Sequence, residues 1–281
     1  MKPLIITAAI VGAEVTREQT PYLPLTPGEI AEEAVRCREK GASVIHLHVR
    51  DDLGRPTQDR ECFRRAIDEI RRRTDVIIQV STGGSVGMTA EERLQPVFLR
   101  PEMASLTTGT VNFGDDVFLN HPRDIEFFAR TIMEQGVRPE VEVFDTGMID
   151  SARRLVKKGL LAETLHFNFV LGVPGGMPAT AKNLLLLVES IPAGSTWTVS
   201  GIGRHQLAMN VLGMAIGGHV RTGLEDNIFY DRGVPARGSW QLVERLARIA
   251  GEMGRPAAVP DEARQILGIP PSVQLTRLSP E

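Results

Sequence analysis

Two histidines in Val44-Ile-His-Leu-His-Val-Arg50, His46 and His48, are the residues of this sequence best suited to chemistry. The stretch is otherwise β-branched and aliphatic and reads as a buried strand. Side chains alternate across a strand, so both imidazoles point to one side, about 6–7 Å apart. From that separation two rings can grip one metal ion, with Zn–N distances of about 2.0–2.1 Å. The plainer alternative is two core histidines, each bonded to its own neighbour. It buries several polar atoms with no shared purpose.

A third ligand has to come from elsewhere. Arg221-Thr-Gly-Leu-Glu-Asp-Asn227 follows the last strand-like run, which a closed barrel brings beside strands 1 and 2. Glu225 is therefore the expected carboxylate ligand, and Asp226 is left for another task. As solvated loop acids the two would be unremarkable. Two histidines and one carboxylate leave a coordination position open, as catalytic zinc sites do. The same set suits non-haem iron. His166 and His219 also fall on strand-like runs and are rival ligands, but neither belongs to a paired motif.

These residues need a scaffold, and the sequence alternates strand and helix throughout. Strand-like runs lie at about 4–9, 43–49, 76–81, 102–106, 139–144, 164–169, 196–200 and 216–221. Amphipathic stretches lie at about 27–40, 59–73, 89–98, 121–135, 147–158, 179–190, 204–214 and 236–253. Thr26-Pro27-Gly28-Glu29 offers an N-cap with proline in the first turn, and Thr89-Ala-Glu-Glu92 has capping-box spacing. Eight βα pairs in 281 residues predict an α/β fold, a single-domain (β/α)8 TIM barrel over residues 1–268. An open doubly wound sheet is the fallback, but no G-x-G-x-x-G follows the first strand. From about residue 254 the chain is proline-rich and reads as a segment wrapping the outside or a neighbouring subunit, with 269–281 as a C-terminal tail.

The net charge of −3 supplies no basic stripe, so nucleic acid is not an expected partner. Cys37 and Cys62 show no C-x-x-C spacing and read as reduced thiols. No apolar run reaches the roughly 18 residues of a membrane span. The run Leu4–Val11 reads as the first strand of a cytoplasmic protein, not as a signal peptide.

Barrel enzymes carry their chemistry at the C-terminal ends of the strands. Those positions hold Glu14, His46 and His48, Ser81-Thr-Gly-Gly84, Ser105, Glu142, Asn168, Gly201-Ile-Gly-Arg204 and Arg221 to Asp226. The strand starts carry only turn chemistry, such as Pro101 and Pro139. This asymmetry predicts an enzyme. Ser81–Gly84, Gly172–Met177 and Gly201–Arg204 are candidate anion-binding loops, although each also reads as a plain turn.

Several motifs together resemble the β-keto acid cleavage enzymes. They are Leu4-Ile-Ile-Thr-Ala-Ala-Ile10, Val44–Arg50, Gln79-Val-Ser-Thr-Gly-Gly84, Phe169-Val-Leu-Gly-Val-Pro-Gly-Gly-Met177 and Gly223-Leu-Glu-Asp-Asn227. The resemblance runs from residue 1 to about 268 and is strongest to members acting on 5-amino-3-oxohexanoate in lysine fermentation. It implies a (β/α)8 barrel binding Zn2+ through His46, His48 and Glu225. It implies an acyltransferase that takes a β-keto acid and acetyl-CoA to acetoacetate and a new acyl-CoA, here 3-aminobutyryl-CoA. Ser81, Gly84 and Ser105 would hold the carboxylate end of the substrate, and Glu14 would face its ammonium end. Arg221 and Asp226 would deprotonate acetyl-CoA, with Glu142 a further polar residue of the pocket. The resemblance also implies a homotetramer. Ser105 stands where that member has Thr, and Phe144-Asp145 where it has Tyr-Glu, which leaves substrate choice open. Dehydrocarnitine is the alternative substrate. The competing activities are a CoA-independent zinc aldolase or hydrolase and a non-catalytic metal-stabilised barrel.

Overall fold

A computed structural model describes residues 2–269. Eight parallel strands close into a barrel: β1 (Ile6–Ala9), β2 (Val44–Leu47), β3 (Ile77–Val80), β4 (Met103–Thr107), β5 (Arg138–Val143), β6 (His166–Leu171), β7 (Thr196–Gly201) and β8 (His219–Thr222). Each strand pairs with its neighbours in sequence, and β8 closes on β1 with Thr7 opposite Arg221. The helices of the outer ring are α1 (Pro27–Glu39), α2 (Arg60–Arg73), α3 (Ala90–Arg93), α4 (Pro122–Glu134), α5 (Thr146–Lys157), α6 (Ala181–Ser190), α7 (Gln206–Ala215) and α8 (Ser239–Glu252). The predicted capping boxes at Thr26 and Thr89 both form. The helix expected over 89–98 divides. Pro96 lacks an amide hydrogen, and the chain tightens into a 3-10 turn over Gln95–Leu99.

Strand alternation sorts the side chains into two sets. Ile45, Leu47, Ile78, Val80, Leu106, Val141 and Phe167 join one large apolar core with the helices. The positions between them turn into the barrel, where His46, Gln79, Ser105, Glu140, His166, Thr198 and Arg221 are all buried. The strands are apolar enough to be covered because one face is; the other holds a packed polar column.

That column is closed at its base by a segment read differently from sequence. The proline-rich stretch after residue 254 does not wrap the exterior. It forms a helix, α9 (Pro260–Leu267), whose Ala263 and Leu267 pack with Ala258 and Ile269 against Ile5, Val44, Ile77 and Met103 at the strand starts. Pro260 in the first turn helps begin this helix, since an amide there would have no intrahelical partner. The rest of the expected tail, 270–281, lies outside the described residues. No described helix is long and apolar enough to cross a membrane.

At the opposite rim, hairpins follow strands β2, β4 and β8. Val49–Arg50 pairs with Pro56–Thr57, Val111–Phe113 with Asp116–Phe118, and Phe229–Asp231 with Val234–Pro235.

Candidate active site

The polar column opens at the C-terminal rim into a pocket of about 260 Å³. His46 and His48 rise from the end of β2 on one face, with ring centroids 5.4 Å apart. Glu225 arrives from the loop after β8. Its Oε1 lies 3.5 Å from His46 Nε2 and 3.7 Å from His48 Nε2. All three donor atoms fall within 4.8 Å of one another. Tetrahedral ligands at 2.0–2.1 Å from a zinc stand about 3.3 Å apart, so the set needs only slight contraction to close on an ion.

The surroundings hold that arrangement. Gln79 Oε1 lies 2.6 Å from His46 Nδ1. An amide oxygen accepts, so Nδ1 carries the proton and the Nε2 lone pair faces Glu225. Glu225 is set by the turn before it, where its amide donates to Ala9 O. Gly223 has φ +141, and a Cβ there would stand 2.1 Å from Ala9 O, so only glycine lets this loop lie against β1. Glu225 Oε2 is buried with no hydrogen-bond partner, which fits a carboxylate waiting for a cation.

Arg221, at the end of β8, serves both acids of the loop. Its Nε and Nη2 donate to Asp226 Oδ2 and Oδ1 at 2.9 and 2.8 Å, and Nη2 also donates to Glu225 Oε1 at 2.6 Å. Burial works against the guanidinium charge, but the two carboxylates outweigh it and hold Arg221 protonated. The acids then separate in strength. Burial would raise Glu225, yet Arg221, His46 and His48 outweigh it and hold the carboxyl at about 2. Burial prevails at Asp226 and pushes it up. Burial also lowers His48 to about 4, so its ring carries no extra proton at neutral pH. A permanently ionised ligand thus sits beside a carboxylate able to take a proton.

The remaining expected residues fall on the same mouth. Glu142, on β5, lines the pocket; Thr107 Oγ1 donates to its Oε2 at 2.7 Å, and burial pushes its carboxyl up. Ser81 and Gly84 line the opposite wall, and Glu14 stands exposed at the rim. Ser105 is brought close but not into the pocket wall. Its Oγ accepts from the Thr82 amide at 3.0 Å and so braces the loop that carries Ser81.

The rival histidines lie deeper. His166 Nε2 is 3.1 Å from Glu140, and its Nδ1 contacts Thr196 Oγ1. His219 Nδ1 accepts from the Ile5 amide. Both are satisfied in place, and neither joins the metal-spaced cluster. The two later glycine loops behave as turns: the Gly172 and Gly176 amides donate to Met177 O and Val173 O, and the Gly203 amide to Asp226 O at 2.7 Å.

Three contributors carried no role in the sequence reading. Gln79 sits in Ile-Ile-Gln-Val, and a lone amide in an apolar strand was the available signal. Arg50 Nη2 donates to Gly12 O and Val15 O, which fixes the loop bearing Glu14. Arg93 donates to Thr82 O and Asn120 Oδ1, tying the Ser81 loop to the hairpin whose Phe113 and Phe118 line the pocket. No local pattern marks either arginine.

Comparison with known proteins places the chain in a family. A profile of the β-keto acid cleavage enzymes matches residues 3–269. The chain belongs to the β-keto acid cleavage enzyme family. Among β-keto acid cleavage enzymes it is similar to a 3-keto-5-aminohexanoate cleavage enzyme of Fusobacterium nucleatum subsp. nucleatum, 56% identical over 271 residues, 96% of this chain and 99% of the relative. A protein of the same name from Acetoanaerobium sticklandii is 55% identical over the same shares. The solved apo structure of ObcA superposes with a TM-score of 0.78 and 24% identity over 89% of this chain and 66% of that one, a likeness of fold.

Proposed function

We propose that this enzyme cleaves 5-amino-3-oxohexanoate with acetyl-CoA, giving acetoacetate and 3-aminobutyryl-CoA. The observation that carries the reading is the division of labour between two adjacent acids on one arginine, Glu225 turned to the histidine pair and Asp226 to the open pocket. His46, His48 and Glu225 would hold a zinc ion, whose bound charge supplies a Lewis acid for the ketone of the β-keto acid.

The chain's own residues do the rest. Asp226 takes a proton from the methyl group of acetyl-CoA, and burial makes it the better base of the two acids. Each of its oxygens keeps a lone pair beyond the one given to Arg221, which fixes the carboxylate and balances its charge. Glu142 is held by Thr107 and raised by burial, so it can hold a proton on the far side of the pocket. The Ser81 hydroxyl and Gly84 amide receive the substrate carboxylate, with Ser105 acting through the Thr82 amide. Glu14 faces the ammonium end. Phe113, Phe118 and Phe144 keep water from the walls between.

Glu14 decides between substrates. An exposed carboxylate favours an ammonium or quaternary amine tail over an acidic one; the ammonium substrate is preferred here, and dehydrocarnitine is the comparison. Glu14→Gln should raise KM for 5-amino-3-oxohexanoate by up to about fivefold and leave a neutral β-keto acid within about 1.5-fold. Equal effects on both would remove the basis for the cationic substrate. Omitting acetyl-CoA should abolish turnover; continued turnover without it would mean an aldolase or hydrolase. The same reading carries a homotetramer, which light scattering on the purified enzyme tests directly, and a cytoplasmic location, which cell fractionation tests.

A further inference from the structure

A second cavity, of about 660 Å³, lies behind the catalytic pocket, between α7 and α8 and beneath the Phe229–Pro235 hairpin. Residues adjacent in sequence line the two. Ile202 and Asp226 face the catalytic pocket; their neighbours Gly203 and Asn227 face the second cavity. The Gly203 amide donates to Asp226 O at 2.7 Å, so the dividing rim is backbone tied to the base itself.

We infer that this cavity receives the nucleotide end of coenzyme A, with its phosphates on Arg204 and Arg232 and its pantetheine arm crossing the Gly203–Asn227 rim to Asp226. The inference rests on the proposed use of acetyl-CoA.

Three observations support it. Arg204 and Arg232 line the cavity, are exposed, and take part in no ion pair among the described residues. The one acid on the lining, Asp231, accepts from the Arg232 amide at 2.7 Å. Arg204 Nε donates to His205 Nε2 at 3.4 Å, but neither guanidinium meets a carboxylate, and two such groups at a cavity mouth suit phosphate oxygens, which they can hold in charge-assisted bonds. The cavity wall also carries Asn210, wholly buried, whose Nδ2 donates to Arg221 O while Oδ1 has no partner. An acceptor left open in a buried wall is met by an N–H donor, and both adenine and the pantetheine amides offer one. Finally, the hairpin over the cavity is pinned: Arg245 lies 3.6 Å over the Tyr230 ring and donates to Tyr230 O. The half-exposed Phe229 ring beside it gives a base a surface on which to stack.

The experiment compares wild type with Arg204→Glu/Arg232→Glu, two exposed positions whose reversal leaves the core intact. Turnover is measured with acetyl-CoA and with acetyl-pantetheine, which lacks every phosphate, and adenosine 3′,5′-bisphosphate binding is measured by calorimetry. Wild type should favour acetyl-CoA over acetyl-pantetheine in KM by about a hundredfold, and the variant should lose at least tenfold of that preference with kcat on acetyl-pantetheine unchanged. The bisphosphate should bind wild type and not the variant. An unchanged acetyl-CoA KM in an active variant overturns the placement. A wild type that binds the bisphosphate yet consumes no acetyl-CoA with any β-keto acid overturns the proposed function instead, leaving a nucleotide site in place.

Discussion

Gln79→Leu isolates what aims the first metal ligand. Gln79 is fully buried, and its Oε1 is the partner of His46 Nδ1 at 2.6 Å. Leucine removes that acceptor and leaves Nδ1–H unsatisfied, a cost of about 1–3 kcal/mol. It also removes Gln79 Nε2, itself buried without a partner, which offsets part of the loss. Metal-free stability should therefore change by no more than about 1–2 kcal/mol. Metal affinity should suffer more, because the imidazole is then free to turn or to present the wrong tautomer. Outer-shell losses of this kind weaken binding about 10–100-fold, or roughly 1.4–2.8 kcal/mol. Titration of zinc against a chromophoric chelator reads the affinity, and thermal melts of the stripped protein read stability. Gln79→Glu, which keeps an acceptor in place, should retain binding. If Gln79→Leu binds zinc within threefold of wild type while His46→Ala abolishes binding, the orienting role assigned to this amide is wrong.

Two further outcomes follow from the site. Asp226→Asn keeps the shape and much of the Arg221 pairing but removes the base, so kcat should fall by about 10²–10⁴ with zinc content unchanged; parallel loss of zinc would mean the residue works through the ligands. For the metal-free protein, burial lowers His48 from 6.5 to about 4. Between those values the unfolded chain binds the extra proton and the folded one does not, so stability is full above about pH 6.5 and declines as pH falls toward 4, by at most roughly 3–4 kcal/mol. Urea melts across that range should show the slope, and His48→Gln should flatten it. A slope that survives the substitution points to another group.

Much of this protein was legible locally. The i, i+2 histidines in an apolar strand place two ligands on one face by geometry alone, and strand-helix alternation with matching caps leaves few folds besides the barrel. Turn and cap chemistry depends on neighbours a few residues apart, so Thr26 and Thr89 could be read directly. The C-terminal segment was not legible. Its prolines suggest a loop, whereas its role depends on apolar strand starts at Ile5, Val44, Ile77 and Met103 that need a cover.

The strand pattern and the His46–His48 pair were determined by the sequence itself, because side-chain direction along a strand repeats every two residues. Glu225 was expected over Asp226 as the acid facing the histidines, but how the two acids divide their contacts was decided only by the fold. The two are adjacent in sequence and of one chemical type. What separates them is a glycine turn pressed against β1, two imidazoles roughly 600 Å of fully extended chain away in sequence terms, and one arginine whose fork reaches both. Ser105 was likewise sorted in three dimensions: its hydroxyl is taken by the Thr82 amide, a bond from β4 to the loop after β3 that no spacing announces. Local periodicity says which way a group points; only closure of the barrel says what it meets.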